Sequence, residues 1–278
     1  MTQIILEVPS LYSAPCYDTR RPFNHFEFPM TIEIIPFERL LIAFIPTFFV
    51  IALMRYWGLA YGKACYSIIR MLLQLLLIGY ALIMIFESES SLLTLAVLSV
   101  MMLASSWISL NTLSDSTGNN ALSTKGRFQL FSKALIAVFI GGGLMLALVT
   151  QLVLQLDPWY LPRYMIPLAG MIFATSMTSI SLAGERLQAE LRSGHVYETA
   201  RNTAFNTAMI PNINAMFAVG LVSLPGMMTG QILSGVSPFI AARYQIMVMC
   251  MLFAAAGISS VIFMTLSRSL LDKKLESE

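Results

Sequence analysis

The sequence predicts an all-α integral membrane protein with about seven transmembrane helices, the N-terminus outside and the C-terminus cytoplasmic. Of its 278 residues, 57% are hydrophobic and only 12% are charged, whereas soluble domains carry roughly 25% charged residues. The apolar residues form uncharged runs close to the roughly 20 residues that a helix needs to cross a bilayer. Lipid is therefore expected to surround most of this chain.

The first four spans follow from these runs in chain order. Leu40–Met54 is short but can extend to Trp57, and Cys65–Phe86 carries one charge, Arg70, in its first turns. Leu92–Leu110 is uncharged throughout, and Ala134–Leu156 follows a basic segment. We expect all four to be membrane-spanning helices.

Of the last three predicted spans, two flank a long uncharged run and one lies within it. Tyr164–Ala183 precedes this run, which extends from Asn202 to Ala242, and Tyr244–Leu266 follows it. The run is too long for one span. Either Asn212–Leu224 crosses the membrane before an outer turn, or the helix is broken at membrane depth.

The orientation is predicted from lysine and arginine, which accumulate in cytoplasmic loops. With the N-terminus outside, twelve of the seventeen Lys and Arg residues fall on the cytoplasmic side. Residues 1–34 are rich in proline and are expected to be a disordered extension, of which 1–29 could also precede a natural start at Met30. Residues 35–267 then form one polytopic transmembrane domain, and 268–278 form a cytoplasmic tail.

Several functional classes are excluded or disfavoured. The chain lacks GxxxxGK[ST], HExxH and GxSxG, and its two histidines, His25 and His195, lie outside the predicted spans; no catalytic set is visible, so the chain is not expected to be an enzyme. A net charge of +2 gives no indication of nucleic acid as a partner. The nineteen methionines are better explained as flexible gap fillers than as ligands for soft metal ions such as Cu(I).

Arg70 is the charged residue closest to membrane depth. It lies near the predicted cytoplasmic surface, where an arginine can extend its head group to water. The alternative is a pairing role with Gln74, one helical turn further on.

The segment Gly184–Asn212 is the longest predicted cytoplasmic connection with helix-forming residues. Leu187 and Leu191 lie on one apolar stripe, and Gly194 interrupts the pattern. A short amphipathic helix, a glycine bend and a second helix suit docking into a groove of another protein. A loop that only joins two spans is the alternative.

The segment VGLVSLPGMMTGQILSG, Val219–Gly235, interrupts the uncharged run with Pro225 and Gly226. Irregular backbone at membrane depth is tolerated where it lines a cavity or is buried in protein, and transporters use broken helices at substrate sites. Gly226 and Gly230 are spaced to let two helices approach closely.

The segment INAMFAVGLVSLPGMMTGQILSGVSPFIAARYQIMV, Ile213–Val248, closely resembles the most characteristic segment of the Fet-type permeases. RMLLQLLLIGY (Arg70–Tyr80) and IPLAGMIFATSM (Ile166–Met177) are similar to further family segments. The family comprises membrane subunits of ABC transporters proposed to export iron, and it is related to plant aluminium-tolerance permeases.

The resemblance implies a homodimeric permease in the plasma (inner) membrane that exports an iron-like metal ion. A separate ATP-binding subunit would bind ATP-Mg, and this chain would bind no cofactor of its own. The segment after Gly170-Met171 departs from the family pattern, and so does the short loop after Gly194. Another small solute or a lipid as substrate, or a non-transporting membrane scaffold, remain alternatives.

Two groups of candidate site residues follow. The resemblance implies an ATPase-coupling loop, formed by Glu185, Ala189, Glu190 and Gly194. The candidates for the translocation pathway and the helix break are Arg70, Gln74, Gly170, Asn212, Asn214, Ser223, Pro225, Gly226, Met227, Met228, Thr229, Gly230 and Gln231. No metal ligand is assigned.

Overall fold

The computed structural model describes residues 36–87, 90–110 and 124–275, and all regular secondary structure in these residues is helical. The predicted N-terminal extension, 1–34, lies outside the described residues. The helices are α1 Phe37–Ile42, α2 Phe44–Tyr56, α3 Tyr61–Glu87, α4 Ser91–Ile108, α5 Thr124–Val138, α6 Leu144–Ala147, α7 Pro162–Arg192, α8 Tyr197–Ala218, α9 Gly226–Leu233 and α10 Pro238–Leu275. Two π-helical turns, Phe139–Gly143 and Leu148–Val153, flank α6.

Six helical segments in the described part of the chain are long and apolar enough to cross a membrane. They are Glu38–Tyr56, Tyr61–Phe86, Ser91–Ile108, Gly126–Val153, Pro162–Arg192 and Pro238–Ser269. The predicted span between Tyr164–Ala183 and Tyr244–Leu266 is not among them. In its place the structure has α8, which begins earlier than expected and contains four asparagines, so its composition differs from that of the six apolar helices.

The core has two buried clusters: the main one joins α4, α5 and α6 to α7 and α10, and a smaller one packs α8 against α7 and α10. The Ser176 hydroxyl of α7 accepts a hydrogen bond from Ser259 of α10 at 3.1 Å, and further along both helices Leu187 and Met264 share one buried cluster. α7 and α10 are therefore parallel. α8 runs in the opposite direction, because the hydroxyl of Tyr197 in its first turn donates to the Met264 carbonyl at 3.0 Å.

Small side chains allow α8 to pack closely in this core. Ala200, Ala204 and Ala208 recur at every fourth position and are completely buried. Such a stripe lets two helix backbones approach without loss of packing. The stripe contributes to the buried cluster that includes Leu187 and Leu191 of α7.

A second close approach joins the first π-helical turn to α10. A methyl group on Gly141 would lie 2.8 Å from the Ser259 backbone nitrogen, and one on Gly142 would lie 3.1 Å from Ile172 and Phe173 side-chain atoms. A methyl group on Gly143 would meet nothing within 4 Å. The three adjacent glycines therefore have three different environments, of which only the first two require glycine for packing.

Two helices are longer than the sequence predicts. α7 continues past Ala183 to Arg192 although Glu185 and Arg186 introduce charge, because Leu187 and Leu191 on the opposite side remain buried. α10 continues beyond the predicted end of the last span at Leu266 and remains helical to Leu275. Charge marks where a helix leaves lipid, and does not mark where the helix ends.

Candidate functional site

The connection between α7 and α8 is short and ordered by its own hydrogen bonds. Ser193 ends α7, Gly194 has a positive φ of +84°, and α8 begins at Tyr197. The Gly194 and His195 amides donate to the carbonyls of Leu191 and Glu190, at 3.0 and 3.3 Å. We name this region, with the adjoining helix ends, the loop end of the bundle.

Glu190 holds this turn together. Its carboxylate pairs with the guanidinium of Arg186, one turn earlier in α7, and lies 3.0 Å from Nδ1 of His195. Only 11% of its side chain is exposed, against about half of each partner. Glu190 thus connects the last turns of α7 to His195, the residue after Gly194; we call this pair of contacts the Glu190 clamp.

Two other candidates for the coupling loop have exposed side chains. Glu185 and Ala189 are exposed on the last turns of α7, and Val196 is 70% exposed just before α8. On the side facing α10, the Arg268 guanidinium lies 4.5 Å from the centre of the Tyr197 ring, an arrangement typical of a cation–π contact. A cavity of about 220 Å³ opens beside it, lined by residues of α8 and α10 including Arg201 and Thr265.

Replacing Glu190 by glutamine is expected to loosen the turn without unfolding the bundle. A hydrogen bond to a charged group contributes about 1.5–3 kcal/mol, so hydrogen exchange of the Gly194 and His195 amides, which are bonded within the turn, should accelerate by about tenfold or more. Hydrogen–deuterium exchange with mass spectrometry measures this directly. Glu185→Gln, at an exposed site on the same helix, is the matched control, and equal exchange in both variants would contradict the clamp.

The other end of the bundle contains the predicted helix break. α8 stops at Ala218, and a tight turn follows in which the Gly220 amide donates to the Ser223 carbonyl at 3.0 Å. Gly220 has a φ of +84°, a conformation that glycine adopts without strain. Pro225 then caps α9, where its missing N–H and fixed φ suit a helix start. We name this region the break end.

The break-end candidates have different surroundings. Thr229 directs its hydroxyl to the Pro225 carbonyl at 3.2 Å, within its own helix, and Ser223 is exposed. Gly226 and Gly230 face open space, with no atom of the described chain within 4 Å of an added methyl group. The close approach that their spacing suggested is therefore not made by α9 to another described helix of this chain.

Neighbouring methionines in α9 also face in different directions. Met227 packs against the main hydrophobic core, whereas Met228 lines a cavity beside α10. Gln231 has a buried side-chain oxygen with no hydrogen-bond partner among the described residues. The middle of α9 thus combines apolar packing with one unsatisfied polar group.

Three of the four asparagines of α8 share its exposed side, and the fourth faces α7. Asn212 donates to the Ser179 hydroxyl of α7 at 3.4 Å, while Asn202, Asn206 and Asn214 are exposed. Phe217, close to the break end, is 78% exposed. A face that mixes asparagine with large apolar groups runs along most of α8 and is covered by no described part of the chain.

The remaining candidates lie elsewhere. Arg70 is half-buried and Gln74 exposed on α3, apart from the loop-end and break-end groups in sequence. Gly170 lies where α7 packs on α4, because a methyl group there would be 3.3 Å from the Met101 methyl carbon.

Two residues of the core, Ser176 and Ser259, were not predicted from the sequence, although their hydroxyls form a hydrogen bond. The three consecutive glycines, 141–143, were the available sequence signal for a close approach there.

These features define a polytopic integral membrane protein with a polar helix packed in an apolar bundle. The sequence matches the family described as "Uncharacterised protein family (UPF0014)" over residues 37–271, and the chain belongs to this family. This match and the relatives below confirm the resemblance to the Fet-type permeases. A plasma-membrane location is expected for such a protein.

Three relatives illustrate the range of the family. The chain is 33% identical to the UPF0014 membrane protein slr1647 of Synechocystis, over 76% of this chain and 84% of that protein. It is 32% identical to the Escherichia coli "Probable iron export permease protein FetB", over 71% and 76%, and 31% identical to "Protein ALUMINUM SENSITIVE 3" of Arabidopsis thaliana, over 72% and 74%. No solved structure matches the chain.

Proposed function

We propose that this chain is the membrane-spanning permease subunit of an ABC transporter, in which two copies enclose the substrate pathway and a separate subunit binds ATP-Mg and hydrolyses ATP. The observation that carries this proposal is the uncovered asparagine-bearing face of α8. The relative named as an iron export permease supports the same class of function.

In this proposal α8 is an additional transmembrane helix, the sixth of seven along the chain. Its 22 residues extend about 33 Å, enough to cross a hydrocarbon layer of roughly 30 Å, and it lies between two apolar spans, α7 and α10. Asparagine side chains are unfavourable against lipid and are usually directed to other helices or to a water-filled cavity. A second copy that places its own α8 opposite gives Asn206 and Asn214 such surroundings.

The loop end would be the docking surface for the ATP-binding subunit. Arg186, Arg192, Arg201 and Arg268 all belong to this end, which favours a cytoplasmic position. Glu190 fixes the turn, while Glu185, Ala189 and Val196 present side chains to a partner. A rigid turn between two core helices can transmit movement of the ATP-binding subunit into α7 and α8.

Affinity purification of the full chain in mild detergent, followed by mass spectrometry, tests this assignment. A stoichiometric partner with a GxxxxGK[ST] motif is expected. Val196→Asp, at the loop end, should abolish its recovery, whereas Val222→Asp, 85% exposed at the break end, should leave it unchanged. Recovery of the intact chain without any such ATPase, even after crosslinking, would favour a non-transporting scaffold.

The cargo in this proposal is a metal ion that is exported. The name of the FetB relative points to iron for that protein. In the described residues of this chain, no group of three or more histidine, cysteine, aspartate or glutamate side chains could hold a metal ion. Another small solute or a lipid is the competing cargo, and ATP hydrolysis by the purified complex, measured with each candidate added, distinguishes them.

A further inference from the structure

The break end contains a cavity of about 320 Å³ between the end of α8, α9 and the first half of α10. Its lining includes three methionines and one cysteine: Met216, Met228, Met249 and Cys250. They come from three different helices. Among the described residues, the lining includes the buried amide side chain of Gln245 but no aspartate, glutamate or histidine. Four sulfur-containing side chains therefore border one space.

The arrangement differs from ordinary methionine packing. A gap-filling methionine closes the space that it faces, as Met227 and Met247 do against the main core. Met228 and Met249 are their neighbours on the same two helices, yet they line an unfilled cavity. Gap filling therefore explains Met227 and Met247, but it does not explain Met228 and Met249.

Thioether and thiol sulfurs are soft ligands that select Cu(I) over harder cations. Iron and aluminium ions, in contrast, prefer oxygen and nitrogen ligands, of which the side chains lining this cavity supply only the amide of Gln245. A monovalent ion also needs little compensating charge: on binding it, the Cys250 thiol would release one proton, and the thiolate formed would neutralise the ion. The chemistry of the lining thus favours a soft monovalent cation.

We infer that this cavity is a binding site for a soft monovalent metal ion of the Cu(I) and Ag(I) class, with Met228, Met249 and Cys250 as ligands and Met216 at its edge. The site gives the proposed permease a substrate class, and in that role it rests on the proposed function. Metal binding itself requires only this chain.

The test uses the purified full-length chain in lipid nanodiscs, titrated with Cu(I) under reducing conditions against a chromophoric Cu(I) chelator. We expect one ion per chain and sulfur-only coordination in X-ray absorption spectra. The double variant Met228→Leu/Met249→Leu should weaken binding by at least about 100-fold, since loss of outer-sphere partners alone typically costs ~10–100-fold. Leucine conserves volume, so folding should be retained.

The matched control is Met227→Leu/Met247→Leu, which changes the neighbouring methionines that face the core. Its affinity should equal that of the unmodified chain, and Cys250→Ser should abolish the release of one proton per ion. Equal weakening in both double variants, coordination by oxygen or nitrogen, or a lipid acyl chain that occupies the cavity and excludes the ion would overturn the inference. Because the recovery of an ATP-binding subunit is measured separately, absence of metal binding would leave the permease proposal intact, and absence of the subunit would leave the metal site intact.

Discussion

Gly141→Ala is expected to destabilise the folded protein strongly, whereas Gly143→Ala, two residues away, is expected to be harmless. The new methyl group at position 141 would meet the Ser259 side chain and lie 2.8 Å from its backbone nitrogen. Backbone cannot move aside as a flexible side chain does, and inserting a methyl group into a packed site typically costs about 1–3 kcal/mol. α10 would have to separate from the first π-helical turn.

The measurement is thermal unfolding in detergent, followed by loss of monodispersity on gel filtration. Gly142→Ala should fall between the other two, because its neighbours are side-chain atoms of Ile172 and Phe173 at 3.1 Å. Gly143→Ala could even stabilise the chain slightly, since alanine loses less backbone entropy than glycine on folding. A similar melting temperature for all three variants would show that the contact with Ser259 does not form.

In the proposed transporter, Gly194→Ala is expected to uncouple ATP hydrolysis in the partner subunit from this chain, while leaving the chain folded. Gly194 has a φ of +84°, and an added methyl group meets nothing within 4 Å, so the cost is conformational rather than steric. Holding alanine in a left-handed conformation costs roughly 1–2 kcal/mol, which corresponds to about a tenfold smaller population of the native turn.

Gly194→Asn is the control, because asparagine tolerates this conformation. In the reconstituted complex, stimulation of ATP hydrolysis by the permease should fall about tenfold for alanine and remain close to normal for asparagine. Equal activity of the two variants would mean that the shape of the turn is unimportant for coupling. Loss of activity in both, with the complex still assembled, would point to a need for glycine's lack of a side chain at the interface with the partner.

The sequence predicted the six apolar helices well because length and lack of charge are local properties. It also located the break at Pro225 and the glycine turn at Gly194, since proline and glycine act on the backbone at their own positions. It did not predict α8 as one helix starting at Tyr197, because the burial of Ala200, Ala204 and Ala208 depends on α7 and α10. The sequence indicated a second helix after the glycine bend and, separately, a span at Asn212–Leu224 or a broken helix; it did not show that these form one continuous helix.

The candidate site was predictable to a smaller extent. Glu190 precedes the glycine turn in the sequence, but its contacts with Arg186 and His195 follow from the fold around Gly194. The cavity lined by Met216, Met228 and Met249 was not predictable, because its residues are brought together only when α9 packs on α10. Periodicity indicates which residues share a face, and only packing shows whether that face is filled.

The asparagine content of α8 also has a consequence for biosynthesis. During synthesis, each new segment divides between the translocation channel and the surrounding lipid according to its own hydrophobicity. A helix with four asparagines gains little by entering lipid alone, whereas α10, synthesised afterwards, is strongly apolar. In the proposed topology, in which α8 spans the membrane, α8 would remain in the channel until α10 emerges. The two helices would then enter the membrane together as a hairpin. Chains released by a premature stop in the turn before α9 would leave α8 without that partner and expose it to quality-control proteases.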